Sequence, residues 1–419
     1  MKKLFFTWMI AGVAVLFSGC SDSVIIQTVT HTVNKPVYLS AEEFRNSVRV
    51  TEEPKEIRQQ GKLCFYKDYL YISEPEVGIH IIDNRDPSHP EPVGFIELLG
   101  NVDLAIKNDK LYADSYIDLV WFDITYPAKP ELAGRLENVF LAAFPETENW
   151  FDYDVDIDEV YAGKIDRIII GWETEEVTYQ VEYRKSDGDL VMDAGAGGAN
   201  PGSGINGSMS RFGLYQDYMY VILNNQIGIF HIGGEKPVKV GSNEYVGREM
   251  ETIFPYKDCL FIRTPGGLII YSAANPELLE YQSSIGHVYG CDPVVVENDL
   301  AYVTVRSGNL CGQNVDELIV FDVSNVKYPK RLVTYTMKNP KGLGIDKGIL
   351  FLCDDGLKIF KADDPQTLVS NLIVHYAGMD GYDVIPYQDV LIMIADDGLY
   401  QYDYSDRDNI HLLSKLSTR

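Results

Sequence analysis

The sequence predicts an all-β protein, a β-propeller built from four-stranded antiparallel blades. Three observations lead to this prediction: a phrase that recurs along the chain, apolar strands at constant spacing, and short turns rich in Gly, Asp and Asn. The phrase is an apolar strand ending in Asp, a proline-containing connection and a second apolar stretch. It is clearest as HIIDNRDPSHPEPVG (80–94), WFDITYPAKPELAG (121–134) and VFDVSNVKYPKRLV (320–333).

Each strand of the repeat can be justified in order. The first strand ends in a polar turn such as FYKD (65–68), and an apolar second strand follows directly. Turns such as DDG at 354–356 and 396–398 predict hairpins between the second and third strands. The third strand ends in the Asp of the phrase, and proline is confined to the connection and the edge of the fourth strand, where no ladder hydrogen bond is lost. Radial repetition of such units forms a propeller.

The spacing of the second strands sets the number of blades. Leu70 and Leu111 are 41 residues apart, and the interval of 41 recurs later in the chain. The gap from Leu111 to Met219 is 108 residues, which is too long for one blade. Apolar stretches inside it predict an irregular third blade at about 138–208. The sequence therefore favours eight blades, with seven as the alternative if this region is an insertion.

The three clear copies of the phrase resemble the LVIVD repeat, which is named for a strand ending in aspartate. Such repeats occur in extracytoplasmic propellers, including many lipoproteins of Bacteroidetes-type bacteria. The resemblance covers most of residues 60–417, with four further degraded copies. It implies the fold and a location outside the cytoplasm, and it implies no catalytic residues.

The N-terminal segment predicts export and lipid attachment. Residues 1–19 combine two lysines with an apolar stretch, which is typical of a secretory signal peptide. Ser18 and Gly19 precede Cys20, an ending that resembles the bacterial lipoprotein signal, in which the cysteine is lipidated. An ordinary cleaved signal peptide is the alternative. We therefore expect a chain anchored in the cell envelope, in the outer membrane, with the leaflet left open.

The remaining chain divides into a linker and one domain. Residues 20–58 carry the lipidated cysteine, a tether and one short helix, because SAEE at 40–43 matches a capping box. Residues 59–419 are expected to form a single propeller. Two irregular excursions, 193–210 and 306–317, are predicted as loops on the top face, where the inner strands begin.

Charge excludes one class of function. The chain has 36 basic and 62 acidic residues, a net charge of −26, and no cluster of Lys and Arg that could attract nucleic acid. The expected partners are the membrane, through the lipid anchor, and an envelope protein or glycan.

The top face is predicted to bring one polar residue of each blade to the mouth of the central channel. The acidic ones, which are candidates for a ligand or cation site, are Asp103, Glu251, Asp292 and Asp383. The basic residues in related positions are Lys62, Arg211 and Lys341. A hydrated channel mouth with no ligand is the alternative.

A second candidate is an alternating acidic row whose members share one face if they lie in a strand, namely Asp152, Asp154, Asp156 and Asp158. Calcium prefers such oxygen ligands, although the glycine and glutamate of an EF-hand loop are missing. A solvated edge is the alternative, and no other cofactor is expected. A disulfide is predicted between Cys291 and Cys311, which the propeller scheme places near each other.

Two repeated positions are interpreted as scaffold. The aspartates that end the third strands are predicted to accept backbone N–H groups in the connection; they are Asp83, Asp123, Asp322 and Asp403. The aromatic residues before the first turn are predicted to pack between blades; they are Tyr66, Tyr215, Tyr256 and Tyr387.

No compact catalytic motif accompanies this scaffold, so the sequence favours a binding protein that uses its top-face loops. The alternative is a carbohydrate-active hydrolase or lyase, with or without calcium, that uses the acidic residues of the mouth. That alternative predicts that their carboxyl groups converge to within about 5–10 Å in a concave pocket.

Overall fold

The computed structural model describes residues 24–141, 143–147, 149, 151–156, 166–184, 211–223, 226–240, 244–245, 250–264, 266–286, 293–307 and 315–418. Within them the fold is almost entirely β and contains eight sheets, the number predicted. The predicted class, an all-β propeller of antiparallel blades, is confirmed. The chain forms two compact units. The smaller comprises Met1–Lys35, Asn149–Asp154 and Glu173–Ala199, and the larger comprises Pro36–Glu148, Val155–Trp172 and Asn200–Arg419.

The N-terminal elements are β1 (Val24–Ser40), α1 (Ala41–Arg45) and β2 (Arg49–Thr51). The segment after Cys20, whose conformation the sequence left open, is thus a strand from Val24. The predicted capping box is confirmed, because Ser40 Oγ accepts from the Glu43 N–H at 3.2 Å and Glu43 Oε2 accepts from the Ser40 N–H at 3.3 Å. Among the described helices, none is long and apolar enough to cross a membrane.

Seven sheets are antiparallel meanders of four consecutive strands, called blades 1–7 in chain order. Blades 1 and 2 comprise β3 (Leu63–Tyr66), β4 (Tyr69–Glu74), β5 (Gly78–Asp83) and β6 (Glu91–Glu97), then β7 (Leu104–Lys107), β8 (Lys110–Ser115), β9 (Asp118–Asp123) and β10 (Glu131–Leu136). The irregular region contributes β11 (Asp152–Tyr153) and β12 (Arg167–Arg184).

Blades 3–7 follow. Blade 3 comprises β13 (Phe212–Tyr215), β14 (Tyr218–Leu223), β15 (Gln226–His231) and β16 (Val238–Lys239), with β17 (Glu244–Tyr245) also on β15. Blade 4 comprises β18 (Thr252–Tyr256), β19 (Cys259–Thr264), β20 (Gly267–Ser272) and β21 (Glu280–Gly286). Blade 5 comprises β22 (Val294–Glu297), β23 (Leu300–Val305), β24 (Glu317–Asp322) and β25 (Lys330–Thr336).

Blade 6 comprises β26 (Leu343–Asp346), β27 (Ile349–Cys353), β28 (Leu357–Lys361) and β29 (Leu372–Tyr376), with a 3-10 helix (Leu368–Asn371) before β29. Blade 7 comprises β30 (Gly381–Tyr387), β31 (Val390–Ala395), β32 (Gly398–Asp403) and β33 (His411–Ser417). Strand β2 adds to the outer edge of blade 1.

Separate hydrophobic cores join each blade to the next. Tyr112 and Trp121 of blade 2 share a core with Phe230 of blade 3, for example. The series closes on itself, because Ile72 of blade 1 shares a core with Ile392 of blade 7. The seven meanders therefore form a ring. Since every blade is one continuous piece of chain, side-chain contacts rather than a shared strand close it.

The eighth sheet occupies the irregular region and is built differently from a meander. Its strand order is β11-β1-β12, and β1 pairs with β11 in parallel, with Val33 opposite Asp152. The region was expected to supply a blade from its own residues, about 138–208. Instead its 18-residue strand β12 pairs with the 17-residue β1, the strand long enough to match it.

The recurring phrase has the structural role predicted for its aspartate. Asp83, Asp123, Asp322 and Asp403 each accept, through Oδ1, the backbone N–H two residues ahead, at 2.8–3.1 Å. The same connection also links blades, because the carbonyl oxygen of its proline accepts from a tyrosine of the preceding blade. The Oη–O distances are 2.7 Å for Tyr71 to Pro127 and 2.9 Å for Tyr220 to Pro276.

The repeated aromatic position packs between blades, as predicted. Tyr387 of blade 7 stacks on Phe65 of blade 1 with ring centroids 4.5 Å apart. Tyr256 Oη accepts from the Asp299 N–H of the next blade at 3.0 Å. These rings serve the scaffold.

Candidate functional site: the top face and channel mouth

The inner strands place the predicted mouth residues at one edge of the sheets. Asp103, Glu251 and Lys341 lie just before β7, β18 and β26, and Asp383 lies near the start of β30. Each is close to the end of its blade's second strand; the Glu251 N–H, for instance, donates to the Arg263 carbonyl at 2.9 Å. Asp292 lies outside the described residues, as do the excursions 193–210 and 308–314.

Asp103 belongs to a buried network between blades 2 and 3. Its carboxylate is 3% exposed; Oδ1 accepts from the Leu104 N–H at 2.9 Å, and Oδ2 from the Arg211 N–H at 2.5 Å. Nearby Asp114, at the end of the second strand, is 2% exposed, and its Oδ1 accepts from the N–H groups of Val102 and Asp103 at 2.7 and 2.9 Å.

The Arg211 guanidinium completes this network by donating to Asp114 Oδ2. Burial raises the pKa of Asp114, and the charge of Arg211 opposes that shift. Two carboxylates and one guanidinium thus hold the inner strands of blades 2 and 3 together. The sequence singled out Asp103 and Arg211 but missed Asp114, which follows an apolar strand and resembles the turn aspartates.

Asp383 lies between the inner strands of blades 6 and 7 and is fully buried. The backbones approach closely here: a Cβ on Gly342 would stand 2.4 Å from the Asp383 Cα. The neighbouring Cys353 thiol is 1% exposed, and its pKa is raised first by burial and then by the Asp383 carboxylate. This part of the mouth is tightly packed.

Blade 4 contributes a buried cation that sequence analysis missed. The Arg263 side chain is fully buried at the end of β19, beside the first residue of the blade's inner strand, Thr252. Its signal in the sequence is an arginine inside the apolar stretch CLFIRT (259–264). The described groups around the mouth are therefore of both signs.

Among the described residues, the exposed surface near the mouth includes a belt of ion pairs on blades 6 and 7, called here the charge belt. Its pairs are Lys338–Asp355, Lys341–Asp380 and Lys415–Asp397, each with an N–O distance of 2.5 Å. The three aspartates are 44%, 55% and 57% exposed. Lys338 and Lys415 hold the pKa of Asp355 and Asp397 below the usual range by hydrogen bonding. The belt therefore presents fixed, ionised groups to solvent.

The acidic row is exposed. Asp152, Asp154 and Asp156 face solvent while Tyr153 and Val155 are half-buried, which is the alternation expected of a strand. Asp158 lies outside the described residues. Among the residues that the structure does describe, no group of three or more His, Cys, Asp or Glu is arranged to hold a metal ion.

The cysteine predictions fall outside the described chain, because Cys20, Cys291 and Cys311 are not part of it. The described cysteines, Cys64, Cys259 and Cys353, are free thiols. The predicted disulfide and lipidation stay predictions.

Comparisons with known proteins find only remote similarity. No protein-family model and no curated protein matches the chain. Solved structures similar to it include the computationally designed Ika8 protein (8% identity, 88% of this chain and 90% of that one, TM-score 0.49). Hsv2 from Kluyveromyces lactis is 10% identical over 86% of this chain and 99% of that one, with a TM-score of 0.48. BamB from Moraxella catarrhalis is 10% identical over 88% of this chain and 99% of that one, with a TM-score of 0.46. These identities are too low to transfer a function.

Proposed function

We propose that the protein is a lipid-anchored binding scaffold of the cell envelope that holds a partner on its top face. The observation that carries this proposal is the charge belt, in which ion pairs orient carboxylates at exposed positions in the turns and connections of blades 6 and 7. Groups that are already oriented lose little side-chain entropy on binding, which favours recognition of a polar partner. An envelope protein or a glycan fits such a surface.

The acidic residues of the mouth support binding more than catalysis. A hydrolase or lyase of the predicted kind needs two carboxyl groups that reach a substrate from a shared pocket. Asp103 is almost fully buried and both of its oxygens accept backbone N–H groups, while Asp383 is completely buried. These carboxylates are placed to hold inner strands together.

The sequence supports the proposed lipid anchor and the proposed location. The signal-like residues 1–19 and Cys20 support lipid attachment, and the resemblance to LVIVD repeats of Bacteroidetes-type lipoproteins supports an outer-membrane location. A mass spectrum of the mature protein should show Cys20 as a lipid-modified N-terminal residue, and Cys20→Ala should release the protein from the membrane fraction. An unmodified N-terminus would contradict the anchor.

Partner binding can be tested with matched pairs of charge-removing variants. Asp355→Asn/Asp380→Asn removes two exposed carboxylates from the charge belt. The control, Asp299→Asn/Asp389→Asn, removes two equally ion-paired carboxylates from the turns between first and second strands. In affinity isolation from envelope extract, quantified by mass spectrometry, the belt variant should recover several-fold less partner than the control. Equal recovery would contradict binding at this face.

A further inference from the structure

The connection between the third and fourth strands begins with the same turn in most blades. In six blades a backbone hydrogen bond closes this turn. Counting from the last residue of the third strand, the N–H of residue +6 donates to the carbonyl of residue +3. In blade 5 this bond joins the Tyr328 N–H to the Asn325 carbonyl at 2.9 Å. Because the scaffold fixes this backbone, the side chains on it are free to differ between blades, and a blade that departs from the others indicates a separate role.

Blade 5 departs in charge and in aromatic character. Lys327, Tyr328, Lys330 and Arg331 are all exposed, and Tyr328 is 73% exposed. The residues in the positions of Lys327 and Tyr328 are Glu277 and Leu278 in blade 4, Gln366 and Thr367 in blade 6, and Asp408 and Asn409 in blade 7. Blade 5 thus carries three cations and an exposed ring, whereas blades 4, 6 and 7 have neutral or acidic residues in the positions of Lys327 and Tyr328. Blades 2 and 3 each have a single lysine in these two positions, Lys129 and Lys236.

The three cations are available to a partner. Within the described residues, none of Lys327, Lys330 and Arg331 forms an ion pair, although Lys330 lies opposite Asp322, whose pKa is lowered first by hydrogen bonding and also by the charge of Lys330. Many other lysines do form ion pairs, Lys257 and Lys347 among them. The Arg331 guanidinium lies 5.8 Å from the Phe321 ring centroid, which restricts its side chain. In a chain of net charge −26, such a cluster is a local reversal of sign.

Apolar side chains of blade 4 extend this surface. Ser283 Oγ of blade 4 donates to the Val326 carbonyl of blade 5 at 2.5 Å, which brings the two segments into contact. On the blade 4 side, Leu278 is 49% and Tyr281 is 58% exposed. We call the combined surface, formed by Lys327, Tyr328, Lys330, Arg331, Leu278 and Tyr281, the blade 5 patch.

We propose that the blade 5 patch binds an extended acidic segment of a partner protein that also carries an apolar or aromatic side chain. Charge complementarity selects the acidic partner, and Tyr and Arg are the residues most often found at the centres of protein interfaces. The patch lies on the connections between third and fourth strands, at the opposite end of the strands from the channel mouth. It is therefore a second surface, beyond the proposed function.

The flanking charges favour a narrow segment over a membrane. Glu277 and Glu280 of blade 4 and Asp363 and Asp364 of blade 6 occupy the neighbouring connections and are exposed. An anionic bilayer is flat and would meet these carboxylates together with the patch. A single extended segment can place its acidic groups on the blade 5 cations and its apolar or aromatic side chain beside Leu278 and Tyr281, away from the carboxylates of blade 6.

A random copolymer of glutamate and tyrosine serves as the probe. Its affinity for the purified protein should fall with increasing salt, and both Tyr328→Ser and Lys327→Gln/Lys330→Gln should weaken binding about tenfold or more. Blade 3 offers a matched control, because its Lys236 and Lys239 are in the positions of Lys327 and Lys330. Their neighbours in the sequence, among them Glu235, Pro237 and Val240, include no aromatic residue and no further cation. Lys236→Gln/Lys239→Gln should change the affinity less than about twofold.

Three results would overturn the proposal. The first is an affinity for the copolymer that is the same in all three variants as in the unaltered protein, and the second is no binding of the copolymer at all. The third is that the patch variants lose binding to phosphatidylglycerol vesicles but still bind the copolymer, which would assign the patch to a membrane. Partner recovery in the Asp355→Asn/Asp380→Asn experiment is independent of all three, so failure here is distinguishable from failure of the top-face function.

Discussion

Replacing Gln401 with alanine should loosen the contact that closes the ring of blades. Gln401 of blade 7 is fully buried and Asn84, directly after the third strand of blade 1, is 8% exposed. Their amides bond reciprocally: Asn84 Nδ2 donates to Gln401 Oε1 at 3.0 Å, and Gln401 Nε2 donates to Asn84 Oδ1 at 2.7 Å. Because blades 1 and 7 share no strand, side-chain contacts carry the closure: these bonds, the Tyr387–Phe65 stack, the Ser414 Oγ–Pro87 carbonyl hydrogen bond, and the core around Ile72 and Ile392.

The magnitude follows from what the substitution leaves behind. Two neutral hydrogen bonds contribute about 0.5–1.5 kcal/mol each, and a buried amide left without a partner costs about 1–3 kcal/mol. Gln401→Ala should therefore lower the free energy of unfolding by about 2–6 kcal/mol. Asn84→Ala should cost a similar amount. The double variant should lose less unfolding free energy than the sum of the two single variants, with a coupling energy of about 1–3 kcal/mol. The reason is that each single variant leaves the other buried amide without a hydrogen-bond partner.

Urea denaturation followed by tryptophan fluorescence measures these differences. Gln366→Ala, at an exposed position in blade 6, is the control and should change the free energy of unfolding by less than about 0.5 kcal/mol. If Gln401→Ala behaved like this control, or if the losses of the two single variants added fully, the reciprocal amide contact would not hold blades 1 and 7 together.

Three further predictions concern other buried groups. The fully buried Asp118 carboxylate accepts hydrogen bonds from Arg45 Nε and Arg135 Nη1 at 2.9 Å each. Asp118→Ala should lower the free energy of unfolding by about 3–5 kcal/mol, because it leaves the two guanidinium groups without this partner. An unchanged urea midpoint would contradict this. Gly342→Ala should lower the midpoint of thermal unfolding, because the added Cβ would lie 2.3 Å from the Tyr382 carbonyl oxygen. A midpoint equal to that of the unaltered protein would refute the close approach of these two backbone segments. Burial lowers the pKa of His80 from 6.5, so below about pH 6.5 the unfolded chain binds a proton that the folded chain does not. The free energy of unfolding should therefore fall as the pH drops below about 6.5. Urea midpoints measured between about pH 7 and 5 should show a smaller fall for His80→Gln than for the unaltered protein.

The architecture was readable from the sequence because it is local and repeated. The third-strand aspartates, the connection prolines and the Ser40–Glu43 capping box all act within a few residues, so their patterns predicted their contacts. The eighth sheet was harder. Strand β1 finds its partner β12 more than a hundred residues later, and alternating Thr and Val in QTVTHTV (27–33) predicts a strand without naming its neighbour.

The mouth was predicted in outline and differs in detail. Inner-strand starts placed Asp103, Arg211 and Lys341 at one edge, but burial decides what each does, and burial depends on how closely neighbouring blades approach. Asp103 joins Asp114, which was not predicted, in a buried network. Lys341, whose side chain is only 12% exposed, instead pairs with the exposed Asp380 of the charge belt. A single sequence shows which residues share a face; it does not show which of them the packing leaves to solvent.

Photo-crosslinking in the native envelope tests the central claim, that the top face holds a partner, most directly. A photoreactive residue at Asp380, in the charge belt, is compared with one at Gln216, an exposed residue of a turn between first and second strands. We predict a discrete protein or glycan adduct from position 380 and none of the same mass from position 216. Equal adducts from both positions, or an adduct from position 216 alone, would contradict binding at the top face.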